Sequence, residues 1–238
     1  MQIINNLLTP TKFLKIANYI SYPAGFFSFL LIIAGLYYAL IASPADYQQG
    51  EAVRIMYLHV PSATMALGIY LFMAVFALSG LVWQNPLSFV ILTSAAPIGA
   101  IFNLICLITG AIWGKPIWGT WWVWDARITS MFLLFLLYIG NIVLYQAHED
   151  KNKGAKFAAI IALIGVVNLP IIKFSVNWWN TLHQPASIIR KGGISIDPTM
   201  QTPLFLMFLG FICLFIFLLF LSIKTQLLAK KLERIEKY

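Results

Sequence analysis

Residues 55–114 read IMYLHVPSATMALGIYLFMAVFALSGLVWQNPLSFVILTSAAPIGAIFNLICLITGAIWG, without a single Asp, Glu, Lys or Arg. A membrane span takes about 20 apolar residues at ~1.5 Å of rise each. This stretch is long enough for two, and Gln84-Asn85-Pro86 breaks it with a turn signal. It therefore predicts a pair of antiparallel spans, near 60–82 and 87–112.

The rest of the chain repeats the pattern. Residues 16–45, 128–148, 157–172 and 198–223 also lack Asp, Glu, Lys and Arg, and each has room for one helix. The expected spans are 23–42, 128–146, 156–173 and 203–223, which makes six in all. The sequence predicts an all-α integral membrane protein, one membrane domain over residues 1–238, with residues 113–127 as a tryptophan-rich loop. Composition agrees. The 238 residues are 61% hydrophobic and 10% charged, with a mean hydropathy of +0.84. A soluble domain has about 25% charged residues. These values exclude a soluble enzyme domain, a disordered chain and a disulfide scaffold.

The net charge of +8 does not point to nucleic acid. A nucleic-acid binder gathers its basic residues on one soluble face, whereas these lie in loops and tails. Six spans put both termini on one side, and that side carries ten Lys and Arg against six on the other. The positive-inside rule places the termini in the cytoplasm. The first apolar run, residues 23–42, exceeds the usual h-region of about 7–15 residues and reads as an uncleaved span. The tail from residue 224 reads as a short helix continuing span six.

Three loops then face outward: residues 43–58, 113–127 and 174–202. Five of the eight tryptophans, at 113, 118, 121, 122 and 124, crowd into the second. Trp178 and Trp179 lie in the third, and only Trp83 is on the inner side. An aromatic belt would spread over both interfaces. A one-sided cluster suits a large, planar, apolar ligand, because indole rings offer wide faces for offset stacking.

Of the three histidines, His148 sits beside Glu149 and Asp150 and reads as a solvated loop residue. His59 ends the first outer loop, just before Pro61, and His183 follows the Trp178-Trp179 pair. A lone histidine at a membrane boundary is commonly structural. Two on the tryptophan-rich side suggest metal ligation, for which neutral imidazole is well suited. Cys106 and Cys213 fall inside spans and read as small apolar residues. No zinc-type spacing of cysteines occurs, and no CxxCH marks a c-type cytochrome. Two axial nitrogens suffice for haem, whose porphyrin supplies the other four. Histidines at the rim favour handling haem over carrying electrons through the bilayer.

The run Trp118-Gly119-Thr120-Trp121-Trp122-Val123-Trp124-Asp125-Ala126-Arg127 resembles the WWD signature of the tryptophan-rich haem-handling proteins. Within that family, His59-Val60-Pro61 and the segment from Trp179 through His183 to Pro185 are similar to the two histidine segments of the C component of system I cytochrome c maturation. Six spans and 238 residues suit that component, since the family's other members are longer.

The resemblance implies non-covalent haem b with His59 and His183 as axial ligands. Trp118, Trp121, Trp122, Trp124, Asp125 and Arg127 would complete the cofactor-binding set. It implies no enzyme activity beyond promoting haem attachment to a partner. The implied partners are a periplasmic haem chaperone, the A and B subunits of an ABC transporter and a small D subunit, in the bacterial inner membrane.

Asp125 also reads as the N-cap of the fourth span. Arg127 could pair with Asp125 or bind a haem propionate, as could Arg54, Lys115, Arg190 or Lys191. Asn103, Asn168, Pro97 and Pro170 lie inside spans and read as kinks or inter-helix hydrogen bonds. Two other functions stay open. One is a permease, against which the lack of charge in all five runs argues. The other is a b-type haem anchor of a respiratory enzyme.

Overall fold

The computed structural model describes residues 10–184, 188 and 193–236. Arg190 and Lys191 lie outside the described residues. Its helices are α1 (Pro10–Tyr37), α2 (Met56–Trp83), α3 (Pro86–Trp118), α4 (Ala126–Ala147), α5 (Lys151–Gly165), α6 (Asn168–Trp178) and α7 (Pro198–Glu236). With α5 and α6 taken together, six helical segments are long and apolar enough to cross a membrane. In lipid every backbone N–H and C=O must be paired within the protein, which is why apolar runs of this length become helices. The fold is that of an all-α integral membrane protein.

Local chemistry sets the helix ends. Asn85 caps α3 by accepting from the Leu87 N–H at 3.0 Å, with Pro86 at the first helical position. At the far end of α3, Gly119 has φ +77° and donates its N–H to the Lys115 carbonyl at 3.0 Å. Gly114 and Pro116 lie inside the last turns without ending the helix, and α3 runs through Trp118. Trp113 and Trp118 are therefore helical, where the sequence reading puts them in a loop. Likewise α2 begins at Met56 and already contains His59, and α6 carries Trp178. The tryptophan loop proper is residues 119–125. The tail is helical as expected, α7 continuing to Glu236.

The break between α5 and α6 falls at Val166 and Val167. Pro170 cannot donate to the Val166 carbonyl, and its ring would strike that oxygen in a continuous helix. The carbonyl accepts from the Leu169 N–H at 3.1 Å instead. The Asn168 side chain donates to the Ser130 carbonyl at 2.8 Å and ties the break to α4. The expectation for Asn168 and Pro170 thus holds. Pro97 lies within an unbroken α3, and neither amide atom of the buried Asn103 has a partner among the described residues.

Packing follows small residues, which let apolar helices approach closely. Helix α1 lies against α7, where Gly35 faces Met207 and the Ser28 hydroxyl donates to the Gly210 carbonyl at 3.1 Å. Helix α5 buries a face of Gly154, Ala155, Ala158, Ala159, Ala162 and Gly165. Tyr138 of α4 donates to the Ala66 carbonyl of α2 at 2.7 Å. Helix α3 is the most enclosed of the six spans and α1 the least. Thus α2, α3, α4 and α6 converge at the end of the bundle that carries the 119–125 loop.

Candidate functional site

At that end a cavity opens between the helices. Helix α2 contributes His59, Ala63 and Leu67, and α3 contributes Cys106, Leu107, Gly110 and Trp118. The loop adds Trp121 and Trp122, α4 adds Arg127 and Met131, α6 adds Ile172, and His183 closes the side. Two imidazoles distant in sequence therefore meet in one apolar, aromatic space.

Each imidazole is seated by its own neighbours. Nδ1 of His59 lies 3.1 Å from the Thr109 hydroxyl of α3. Trp113 meets the same ring edge-on at 5.6 Å between centroids. A Cβ on Gly110 would stand only 3.0 Å from His59 Cε1, so the missing side chain lets the ring lie against α3. On the other side, Nδ1 of His183 lies 3.4 Å from Asp125 Oδ2, and Trp118 packs edge-on against the ring at 4.9 Å. Burial lowers the His183 pKa, the Arg127 guanidinium lowers it further, and Asp125 opposes both. The balance favours the neutral imidazole that a metal requires.

Asp125 has two tasks. Its Oδ1 accepts from the Ile128 N–H at 2.8 Å and caps α4, while Oδ2 faces His183. One carboxylate thus both caps a helix and faces an imidazole.

Two donors at the cavity have no acceptor among the described residues. The indole N–H of Trp122 is buried without a hydrogen bond. Arg127 is partly buried, and its guanidinium makes no hydrogen bond or ion pair there. The buried indole N–H and the half-buried guanidinium leave two donors open to an acceptor in the cavity. Of the other cations weighed from sequence, Arg54 and Lys115 are turned elsewhere. Arg54 pairs with Glu51 and donates to the Ala39 carbonyl at 2.6 Å. Lys115 donates to the Gly119 carbonyl at 3.0 Å and lies 6.0 Å from the Trp121 ring centre.

Trp124 does not line the cavity. It is 71% exposed and packs edge-on to Trp122 at 5.3 Å and to Phe132 at 6.3 Å. Trp178 and Trp179 are exposed as well. His148 stacks on Phe157 at 4.9 Å and hydrogen-bonds the Leu144 carbonyl at 2.8 Å, near the junction of α4 and α5. Sequence reasoning missed Thr109, Gly110 and Trp113 as neighbours of His59. The signal for Thr109 and Gly110 was their place four and three residues before Trp113, which puts all three on one face of a helix.

No group of three His, Cys, Asp or Glu side chains able to hold a bare metal ion occurs among the described residues. The two imidazoles would suit a metal that arrives with most of its ligands already in place.

Fold and site together define a multi-pass membrane protein that holds two histidines and a tryptophan loop at one end of its bundle. The chain belongs to the heme exporter protein C family, whose sequence profile matches residues 3–237. It is 47% identical to the heme exporter protein C of Haemophilus influenzae over 220 residues, covering 92% of this chain and 89% of that one. It is 43% identical over 231 residues to the proteins of that name from Bradyrhizobium diazoefficiens and Escherichia coli K12. Those matches cover 97% of this chain, and 88% and 93% of the relatives.

Proposed function

We propose that this protein binds haem at the outer face of the bacterial inner membrane and presents it to a periplasmic haem chaperone for cytochrome c maturation. The observation that carries the reading is the meeting of His59 and His183 in one cavity walled by Trp118, Trp121 and Trp122. The residues suit the group. A haem brings four equatorial nitrogens and needs two axial ligands, and two imidazoles are what the cavity holds. A planar apolar macrocycle suits indole walls, and its propionates would supply acceptors for Arg127 and the Trp122 N–H.

The roles divide accordingly. His59 and His183 would ligate the iron of non-covalently held haem b. Trp118 and Trp122 exclude water from the ring, and Trp121 covers it nearer the rim. Arg127 holds a propionate in the planar fork that suits a carboxylate. Asp125 orients His183, and Trp124 lies where an arriving partner meets the loop. The chain delivers haem rather than catalysing a reaction of its own. Its partners are the chaperone, the A and B subunits of an ABC transporter and the small D subunit. The lysine distribution supports cytoplasmic termini and an outward-facing cavity.

The test is spectroscopic. Purified protein should carry non-covalent haem with a low-spin spectrum. His59→Ala and His183→Ala each shift the Soret band, and His148→Ala leaves it in place. Unchanged spectra in both outer variants would refute the ligand assignment.

A further inference from the structure

We infer that Thr109 is a positioning residue that locks His59 in one tautomer, so that Nε2 is the nitrogen offered to the cavity. The argument counts protons. A threonine hydroxyl has one hydrogen and two lone pairs. The Thr109 Oγ1 lies 2.6 Å from the Ile105 carbonyl and 3.2 Å from the Cys106 carbonyl, both on its own helix. Those oxygens only accept, so the hydroxyl proton is committed to them, as is usual for Thr within a helix. Toward His59 Nδ1, 3.1 Å away, Thr109 has only a lone pair left. Nδ1 must then carry the proton, and Nε2 keeps a free lone pair.

The surroundings enforce the arrangement. Thr109 is 8% exposed, so water does not compete strongly for its lone pair. Gly110 admits the Cε1 edge of the ring against α3, and Trp113 packs against the ring from one turn further along the helix. His183 also has its Nδ1 engaged, by Asp125 at 3.4 Å. Both histidines therefore present Nε2: the His59 ring is backed by the neutral Thr109 hydroxyl, with the Cys106 backbone as a further hydrogen-bond partner, and His183 by a carboxylate.

The consequence for ligation rests on the haem reading above, while the tautomer is a property of the chain alone, and the experiment separates the two. Haem-free protein is labelled with ¹⁵N-histidine and studied at about pH 8, where unperturbed imidazole is neutral. With three histidines in the chain, His148 and His183 variants assign the His59 signals. The expected spectrum shows His59 protonated at Nδ1 and bare at Nε2. Thr109→Val loses that preference and Thr109→Ser keeps it. Haem titration then gives about 10–100-fold weaker affinity for Thr109→Val, the usual cost of losing a group that orients a metal ligand, and recovery in Thr109→Ser. A His59 protonated at Nε2, an unchanged tautomer in Thr109→Val, or a Thr109→Ser that behaves like Thr109→Val would overturn the inference. Failure of the haem reading shows separately, as His59→Ala protein that binds haem with an unaltered spectrum.

Discussion

Asp125 Oδ2 faces His183 Nδ1 at 3.4 Å while Oδ1 of the same carboxylate caps α4 at 2.8 Å. The start of a membrane helix and the setting of an imidazole in a loop thus depend on one side chain. Asparagine is as good an N-cap as aspartate but carries no charge. Asp125→Asn should therefore leave protein level near normal and still alter the haem spectrum. Asp125→Ala should also lose the cap, at about 1 kcal/mol. Thermal unfolding and absorption spectra of the two variants check this. Equal spectra for Asp125→Asn and the parent would leave Asp125 as a cap alone.

Gly110 and Gly140 make a matched pair. A Cβ at Gly110 would press on His59 Cε1 at 3.0 Å, whereas one at Gly140 would meet nothing within 4 Å. Both glycines lie in helices, where alanine is favoured by roughly 0.5–1 kcal/mol. Gly140→Ala should keep haem as the parent does. Gly110→Ala should fold equally well and retain less haem, because the ring must give by a few tenths of an ångström. Haem-to-protein ratios of the purified variants decide it.

Retention and delivery should separate within the tryptophan loop. Trp118 packs on His183 at 4.9 Å, while Trp124 is 71% exposed and away from the cavity. Trp118→Ala should lower retained haem. Trp124→Ala should keep haem and lower its covalent transfer to the chaperone, since misplacing reacting groups costs about a hundredfold in rate. Both quantities are measured in one membrane preparation. A fall in protein level with unchanged transfer per molecule would reduce the loop to an aromatic belt.

Sidedness has its own check. A reporter active only outside the cytoplasm should work when fused after Trp124 and stay silent after Lys153. An active fusion at Lys153 would turn the cavity toward the cytoplasm.

The sequence by itself determined the six spans, because a long uncharged run in lipid can satisfy its backbone only as a helix. It also determined the turn at Asn85-Pro86, the break at Pro170 and the gathering of tryptophans before Asp125, all of which act on near neighbours in the chain. It did not determine which side chains meet. A helix that is apolar all round has no polar stripe to show which face turns inward, so the rotation of α2 and α3 is invisible before packing. Tertiary structure brought Thr109 to His59 across 50 positions and Asp125 to His183 across 58. It also turned Arg127 into the cavity while Arg54 and Lys115 found partners outside it. Those contacts depend on glycine and alanine seams that fix how closely, and at what rotation, the helices approach.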